Sequence, residues 1–306
     1  MNKRAIAFLV TLAHMLRVRD WAKNLFVFAP LIFSEQLSIA TALGKVVIVS
    51  GALCLLSSSI YILNDLLDAS RDRKHPVKRH RPIASGQVSL PAAVAVAIAC
   101  VVGGYGLLFV LRAPAAVWWL ATGFLALNVA YSCYLKHKVI VDVLAIAVGY
   151  VLRVLIGGAA IGVPVTHWLI LCTFLLAVFL GFSKRRHELV VLGETKEQHR
   201  AVLELYTEEF LDRMSILTLA MTLTCYILYT IAPETIVRFG TNALVYSSLI
   251  VMFGLFRYLF LIHVKKMGSP VEVVYSDRQI VLAVVAWLLY VIVVVYTWPN
   301  AADVLR

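Results

Sequence analysis

Apolar residues dominate the chain in long runs that short polar connections separate. Most runs are about 20 residues long, the length that carries an α-helix across the hydrocarbon core of a bilayer. Lipid offers the main chain no hydrogen-bond partners, so such runs favour helices over irregular structure. The pattern predicts nine membrane-spanning helices, at about residues 22–34, 42–66, 90–111, 115–135, 139–162, 167–184, 214–232, 241–263 and 279–298.

The composition agrees with a membrane protein. Hydrophobic residues make up 61% of the 306 residues and charged residues 15%, whereas soluble domains carry about a quarter charged residues. No polar stretch is long enough to fold as a separate soluble domain. We therefore predict one all-α, polytopic membrane domain over residues 1–306, with an interfacial N-terminal segment at 1–21 and a cytoplasmic connection at 185–213.

Positive charge is distributed unevenly along the connections. Of the 28 Lys and Arg residues, 22 lie on alternate connections and therefore on one predicted face of the membrane. Basic connections face the cytoplasm, which orients the protein with this face inward. The asymmetry can also attract anionic lipid, but that explanation does not account for acidic residues on the same face.

Acidic residues cluster where the second predicted span ends, in the stretch NDLLDASRDRKHPVKRHRPIASG from Asn64 to Gly86. If the helix reaches about residue 72, Asp65, Asp68 and Asp72 lie within about 60° of one another on one face. Carboxylates this close need a cation between them, and Mg²⁺ takes one or two carboxylates together with water and phosphate oxygens. The alternative is that the acids pair with neighbouring arginines, although acids in the last helical turn oppose the helix dipole. The spacing predicts a site for Mg²⁺, or Mn²⁺ in its place, with Asn64 as a further ligand.

Basic residues follow the acids directly. Six Lys or Arg residues lie between positions 71 and 81, and two prolines stiffen the loop. Arg binds phosphate through two parallel hydrogen bonds, while Lys acts as a point charge. The predicted phosphate partners are Lys74, Lys78, Arg79 and Arg81. Acids for a metal beside bases for phosphate predict a site for a metal–diphosphate complex.

Other polar residues occur in or beside the apolar runs. Charged groups there are costly unless they are functional or paired, so Asp142, Arg153 and Arg257 are expected to face a site or an opposite charge. Tyr131 and Lys136 frame the same region, although Lys136 at a membrane edge can also extend its side chain to the interface. We include all five among the candidate substrate-binding residues.

The acidic stretch resembles the first aspartate-rich motif of the UbiA prenyltransferase superfamily, which reads N-D-x-x-D-x-x-x-D. The sequence WAKN at 21–24 is similar to that family's first-helix segment and adds Lys23 to the substrate-binding candidates. The resemblance implies nine helices around a central cavity that opens to the cytoplasm. It further implies that Asp65, Asp68 and Asp72 are catalytic and hold Mg²⁺–diphosphate.

A second aspartate motif, D-x-x-x-D, is typical of the family after the sixth span, but this chain has GFSKRRHEL there. Cations thus replace acids, which is similar to the branch that transfers 5-phosphoribose from phosphoribosyl pyrophosphate to a polyprenyl phosphate for envelope arabinan precursors. The resemblance implies that Lys184 and Arg185 bind phosphate. Glu188 either joins them or orients Arg185.

Two other functions remain open from the sequence. One is a UbiA-type enzyme that joins a polyprenyl diphosphate to an aromatic acceptor, which differs in its substrates. The other is a transporter of anionic lipids, which would also need intramembrane charge. The lipid bilayer is an expected partner, a homo-oligomer is compatible with the apolar surfaces, and no nucleic-acid partner is expected.

Overall fold

The computed structural model describes residues 3–73, 78–192, 203–264, 273 and 276–297. Its regular secondary structure in these ranges is helical, which confirms the predicted all-α class. The α-helices in chain order are α1 Lys3–Leu16, α2 Ala29–Phe33, α3 Ala40–Leu67, α4 Ala69–Asp72, α5 Leu90–Val110, α6 Ala115–Cys133, α7 Val141–Ile161, α8 His167–Leu192, α9 Glu208–Ile231, α10 Pro233–Phe239, α11 Ser247–Val264 and α12 Arg278–Thr297.

Eight of the predicted spans are confirmed as long apolar helices within the described ranges: α3, α5, α6, α7, α8, α9, α11 and α12. Helix α8 continues beyond the predicted end at 184, so its basic residues lie on helix rather than in a loop. Helix α9 begins at Glu208, six residues earlier than predicted, because Thr207 accepts a hydrogen bond from the Phe210 N–H and caps it. Residues 193–202 of the predicted connection lie outside the described ranges.

Within the described ranges, the first predicted span is not one long α-helix. Residues Val18–Phe28 form a 3₁₀-helix, and α2 follows. The segment runs alongside α3, where Trp21 donates to Ser58 and Asn24 to Cys54. A 3₁₀-helix rises about 2.0 Å per residue and an α-helix about 1.5 Å, so the 11 residues of the 3₁₀-helix and the five of α2 together reach about 30 Å, the thickness of a bilayer core. The extended rise explains how so short an apolar run can follow α3 along its length.

The chain divides into two compact units. The first contains Met1–Leu31, Gln36–Ala145 and Leu152–Pro164. Helix α3 is buried along more of its length than any other spanning helix. Its side chains share a core with α5, α6 and α7, and Gly104 of α5 lies so close that a Cβ there would be 2.9 Å from Leu56. Close packing around α3 fixes the end of this helix, where the acidic motif begins.

The second unit contains Ile32–Glu35, Ile146–Val151 and Val165–Arg306. Its main core joins Phe179 of α8, Leu219 of α9, Leu255 of α11 and Ile280 of α12. Asp277 caps α12 by accepting hydrogen bonds from the N–H groups of two residues in the first helical turn. The single domain over 1–306 stays a prediction.

Candidate active site

Asp65 and Asp72 share one cation in the first unit. The Arg81 Nη1 atom donates to Asp65 Oδ1 at 3.0 Å and to Asp72 Oδ2 at 2.7 Å. Asp65, in the last turn of α3, and Asp72, at the end of α4, are both buried, with exposures of 3% and 4%. The helical spacing therefore brings these two acids together as predicted, and Arg81 lies between them rather than at a separate phosphate position.

Arg17 is a site residue that sequence reasoning missed. Its guanidinium pairs with Asp65 and lies 5.0 Å from the centre of the Tyr61 ring. The Arg17 backbone is in the left-handed region, with φ at 49°, a conformation that is uncommon for a residue with a side chain. The only local signal is a basic residue at the end of an apolar segment. Its partner is 48 residues away, so no sequence spacing indicates the contact.

Asp68 does not join the other two acids, because α3 ends at Leu67 instead of continuing to residue 72. The Asp68 backbone turns with φ −95° and ψ 1°, and α4 starts at the next residue. This break directs the Asp68 carboxylate to Lys136 Nζ, which donates to its two oxygens at 3.2 and 3.1 Å. Arg71 lies 3.7 Å from the same group. Lys136 is buried, so it is paired with an acid rather than extended to the interface.

The metal site can be tested against this geometry. Within the described ranges, no three His, Cys, Asp or Glu side chains are grouped closely enough to hold a metal ion. The arrangement offers two carboxylates around one cation, which matches the one or two carboxylates that Mg²⁺ takes when phosphate supplies other ligands. Asp65 and Asp72 therefore fit the ion. Asn64 and Asp68 as further ligands stay predictions.

The remaining loop cations occupy varied positions. Lys74 lies outside the described ranges, and of Lys78 only the main chain is described, in a 3₁₀-turn. Arg79 is exposed and donates to the imidazole of its neighbour His80 at 3.3 Å. Lys23 pairs with Asp20 at 2.6 Å. Phosphate binding by these side chains stays a prediction.

Arg153 is buried within α7, as expected for a charge that must find a partner. Its Nε donates to the side-chain oxygen of Asn24 at 2.7 Å, and its guanidinium lies 4.6 Å from the centre of the Phe124 ring. Both contacts are typical of a desolvated guanidinium. Asn24 belongs to the WAKN segment, so this segment positions an intramembrane cation. Asp142 is fully buried and Tyr131 half-buried in the same unit.

The basic segment of α8 lies in the second unit. Arg185 is 1% exposed and donates to Glu188 at 2.5 Å, while Lys184 lies 3.8 Å from the other oxygen of Glu188. The predicted orienting contact between Glu188 and Arg185 is thus present. Arg186 extends elsewhere and pairs with Asp212 and Glu208 of α9, and His263 of α11 bonds to the same Asp212 oxygen. Nothing in the sequence predicted these side-chain contacts between α8, α9 and α11.

Arg257 pairs with Asp277, an acid that sequence reasoning did not single out. The guanidinium donates to the two carboxylate oxygens at 3.3 and 2.7 Å. The hydrogen bond from Arg257 holds the pKa of Asp277 below its usual value. Arg257 thus has the acidic partner that its position in an apolar run requires.

Two apolar grooves, each about 460 Å³, lie on the second unit. One is between α11 and α12 and the other between α8 and α9, where Trp168, Leu171 and Leu228 line it. Among the residues that the structure describes, no charged side chain lines either groove. The predicted cavity that joins the acids with Lys184 and Arg185 stays a prediction.

Comparison with known proteins agrees with the acidic motif and the helical fold. A model of the UbiA prenyltransferase family matches residues 25–272. The chain belongs to the UbiA prenyltransferase family. The matched range includes the acidic motif at 64–72, so this membership confirms the resemblance drawn from it.

Curated UbiA relatives extend over nearly the whole chain. A decaprenyl-phosphate phosphoribosyltransferase from Mycolicibacterium smegmatis is 30% identical over 289 residues, which cover 89% of this chain and 88% of the relative. An enzyme of the same name from Corynebacterium glutamicum is 29% identical over 294 residues, covering 93% and 86%. Among solved structures, a UbiA homolog from Archaeoglobus fulgidus bound to DMAPP and Mg²⁺ has a TM-score of 0.68 at 16% identity, with 92% of this chain and 98% of that chain covered. This structural similarity shows that the chain has the same fold as that UbiA homolog.

Proposed function

We propose that this UbiA-family protein transfers 5-phosphoribose from phosphoribosyl pyrophosphate to a polyprenyl phosphate of the decaprenyl type and releases pyrophosphate. The observation that carries the proposal is the full-length similarity to relatives named decaprenyl-phosphate phosphoribosyltransferase. Members of this family are membrane transferases, and the eight apolar helices suit a substrate with a long lipid tail.

The charge of α8 supports phosphate-bearing substrates. Lys184, Arg185 and Arg186 stand where a second pair of acids would be expected for an aromatic acceptor. A phosphoribosyl donor and a lipid phosphate together bring more anionic groups than a prenyl diphosphate with a neutral acceptor. More cations and fewer acids match that ligand set.

The reaction forms a bond between a lipid phosphate oxygen and C1 of the ribose while the bond from C1 to the pyrophosphate breaks. A phosphate is already an anionic nucleophile, so the site needs no strong general base. Rate then depends on alignment of the two substrates and on stabilisation of charge at the leaving group. This requirement agrees with a site composed mainly of ion pairs.

Within this reaction, Asp65 and Asp72 are the residues that would hold Mg²⁺. The bound ion would neutralise charge on the departing pyrophosphate. Arg81 would bind donor phosphate, and Lys136 would hold the Asp68 carboxylate in place. Lys184 and Arg185 would bind the remaining phosphates, with Glu188 setting the orientation of Arg185. The polyprenyl tail would lie in an apolar groove open to lipid, and the site would face the cytoplasm of a bacterial inner membrane.

The test is a donor comparison with purified protein in lipid nanodiscs. One set receives phosphoribosyl pyrophosphate and decaprenyl phosphate, and the other receives decaprenyl diphosphate with 4-hydroxybenzoate. We expect a lipid-linked phosphoribose in the first set and no condensation in the second. The proposal would be overturned if decaprenyl diphosphate were consumed in the second set and no lipid-linked phosphoribose formed in the first. Passage of labelled decaprenyl phosphate across the bilayer without chemical change would favour an anionic-lipid transporter instead.

A further inference from the structure

Arg81 occupies the position in which a shared cation would be expected. Its Nη1 atom bonds to Asp65 at 3.0 Å and to Asp72 at 2.7 Å, and these two acids end different helices, α3 and α4. One positive centre between two carboxylates is also the geometry of a divalent ion bound by two acids. The guanidinium and such an ion would compete for the same two oxygens.

The two acids need this cation when no metal is present. Buried carboxylates repel each other, and a buried charge is stable only with a partner of opposite sign. Asp65 has a second partner in Arg17. Asp72, in contrast, forms an ion pair only with Arg81 among the described residues. Arg81 is therefore the cation that compensates the Asp72 carboxylate in this part of the structure.

Arg81 can leave without movement of its main chain. Its side chain is 29% exposed, against 4% and 5% for those of the two acids. The residues after it are fixed: Ile83 is 2% exposed within an apolar core, and the N–H of Ser85 donates to the Arg81 carbonyl at 2.9 Å. Rotation of the side chain alone would open the position between the carboxylates.

We propose that Arg81 is an exchangeable counter-ion, which holds the space between Asp65 and Asp72 until a divalent ion displaces it and which then binds the donor diphosphate. The inference rests on the proposed function for the identity of the donor. Its consequence is coupling between the two ligands. When the ion binds alone, displacement of Arg81 costs free energy and weakens ion binding. When the donor binds as well, the freed guanidinium binds the donor phosphates, which offsets that cost.

The first test measures the ion without any substrate. Mn²⁺ binding to purified protein in nanodiscs is followed by electron paramagnetic resonance for the wild type, Arg81→Gln and Arg79→Gln. Because Arg79 is an exposed neighbour that contacts only an imidazole among the groups described here, its variant is the matched control. We expect Arg81→Gln to bind Mn²⁺ about tenfold more tightly than the wild type, within the usual range of coupling between sites. Arg79→Gln should be unchanged. Equal or weaker binding by a folded Arg81→Gln variant would overturn the proposal.

A second test uses the wild type and so does not depend on the folding of a variant. Phenylglyoxal modifies accessible guanidinium groups, and mass spectrometry maps the modified arginines. We expect Mg²⁺ alone to increase modification of Arg81 and to leave that of Arg79 unchanged. Modification of Arg81 that is indifferent to Mg²⁺ would contradict the exchange. Neither readout involves turnover, so failure of phosphoribosyl transfer with these results intact would reject the function and retain the counter-ion.

Discussion

The ammonium group of Lys136 donates to both carboxylate oxygens of Asp68, across 68 residues of sequence. Lys136 is buried and Asp68 is partly exposed, so the loss of the ammonium leaves a half-solvated carboxylate without its main partner. We expect Lys136→Met to lower the free energy of unfolding by about 2 kcal/mol, less than for a fully buried pair. Thermal unfolding in detergent micelles measures the change.

A double-mutant cycle separates this pair from other effects of the substitution. Asp68→Asn in the Lys136→Met background should restore part of the lost stability, since the orphaned charge is then removed. Lys138→Met is the control, because Lys138 is exposed and lies over the Tyr134 ring. Additive effects of the Lys136 and Asp68 substitutions would show that the two groups are not coupled.

Gly157 of α7 lies against the main-chain carbonyl of Val27 in the 3₁₀ segment. A Cβ at this position would overlap the Val27 oxygen and carbon atoms, which belong to the backbone and cannot rotate away. We expect Gly157→Ala to lower the free energy of unfolding by about 3 kcal/mol through overpacking. The melting temperature in micelles reports the loss.

Gly123→Ala provides the matched control for Gly157→Ala, since a Cβ at Gly123 of α6 meets no atom within 4 Å. Alanine in an open helical position should stabilise by about 0.5–1 kcal/mol relative to glycine. Similar melting temperatures for the two alanine variants would argue against close packing of the 3₁₀ segment on α7.

The pattern of apolar residues predicted the helices well and the first segment poorly. Eight runs were long enough to cross a bilayer, and in lipid an α-helix is how a single segment satisfies its main-chain hydrogen bonds internally. Residues 22–34 were too few to cross a bilayer as an α-helix, and nothing local indicates that the 3₁₀ form begins at residue 18. That choice depends on packing against α3 and Gly157, which are distant in sequence.

The charged site, too, was predictable from the sequence in part only. The spacing of Asp65 and Asp72 predicted that they would meet, because both lie on nearly the same helical face. The break at Asp68 was not predictable from that spacing. The choice of partners also depends on tertiary structure: Arg17 and Lys136 each reach an acid that no local pattern assigns to them. Arg81 is one of the neighbouring arginines that the alternative interpretation of the sequence pairs with the acids. Local periodicity thus located the acids, and long-range folding chose their cations.

Asp72→Asn tests the two-carboxylate site. The amide keeps the shape of the side chain but removes one of the two charges that face Arg81. We expect turnover to fall by roughly 100-fold or more, since loss of groups that merely support a metal already costs 10- to 100-fold. Initial rates with phosphoribosyl pyrophosphate and decaprenyl phosphate measure the effect. Glu209→Gln, at an exposed acid paired with Arg213, should retain activity, and an undiminished rate in Asp72→Asn would exclude this carboxylate from the site.

The Arg257–Asp277 pair predicts a pH dependence of stability. The hydrogen bond from Arg257 lowers the pKa of Asp277 in the folded protein, so the stabilisation is present above the unfolded value of about 3.9. It is lost as the pH falls through the lower, folded pKa. Asp277→Asn retains a side-chain oxygen to cap α12, and it should melt below the wild type at pH 6, by a margin that shrinks as the pH falls below about 3.9. A difference that is constant with pH would assign the effect to packing.

The central claim is that the phosphoribosyl group, and not a diphosphate or a prenyl group, moves between substrates. Phosphoribosyl pyrophosphate is prepared with ³²P either at the 5-phosphate or at the β-phosphate of the diphosphate and incubated with purified protein, Mg²⁺ and decaprenyl phosphate. The account predicts that the 5-phosphate label enters the organic phase while the β-label stays in water as pyrophosphate, and that a chelator abolishes both changes. Transfer of the β-label to lipid, or retention of both labels in water under the same conditions, would contradict it.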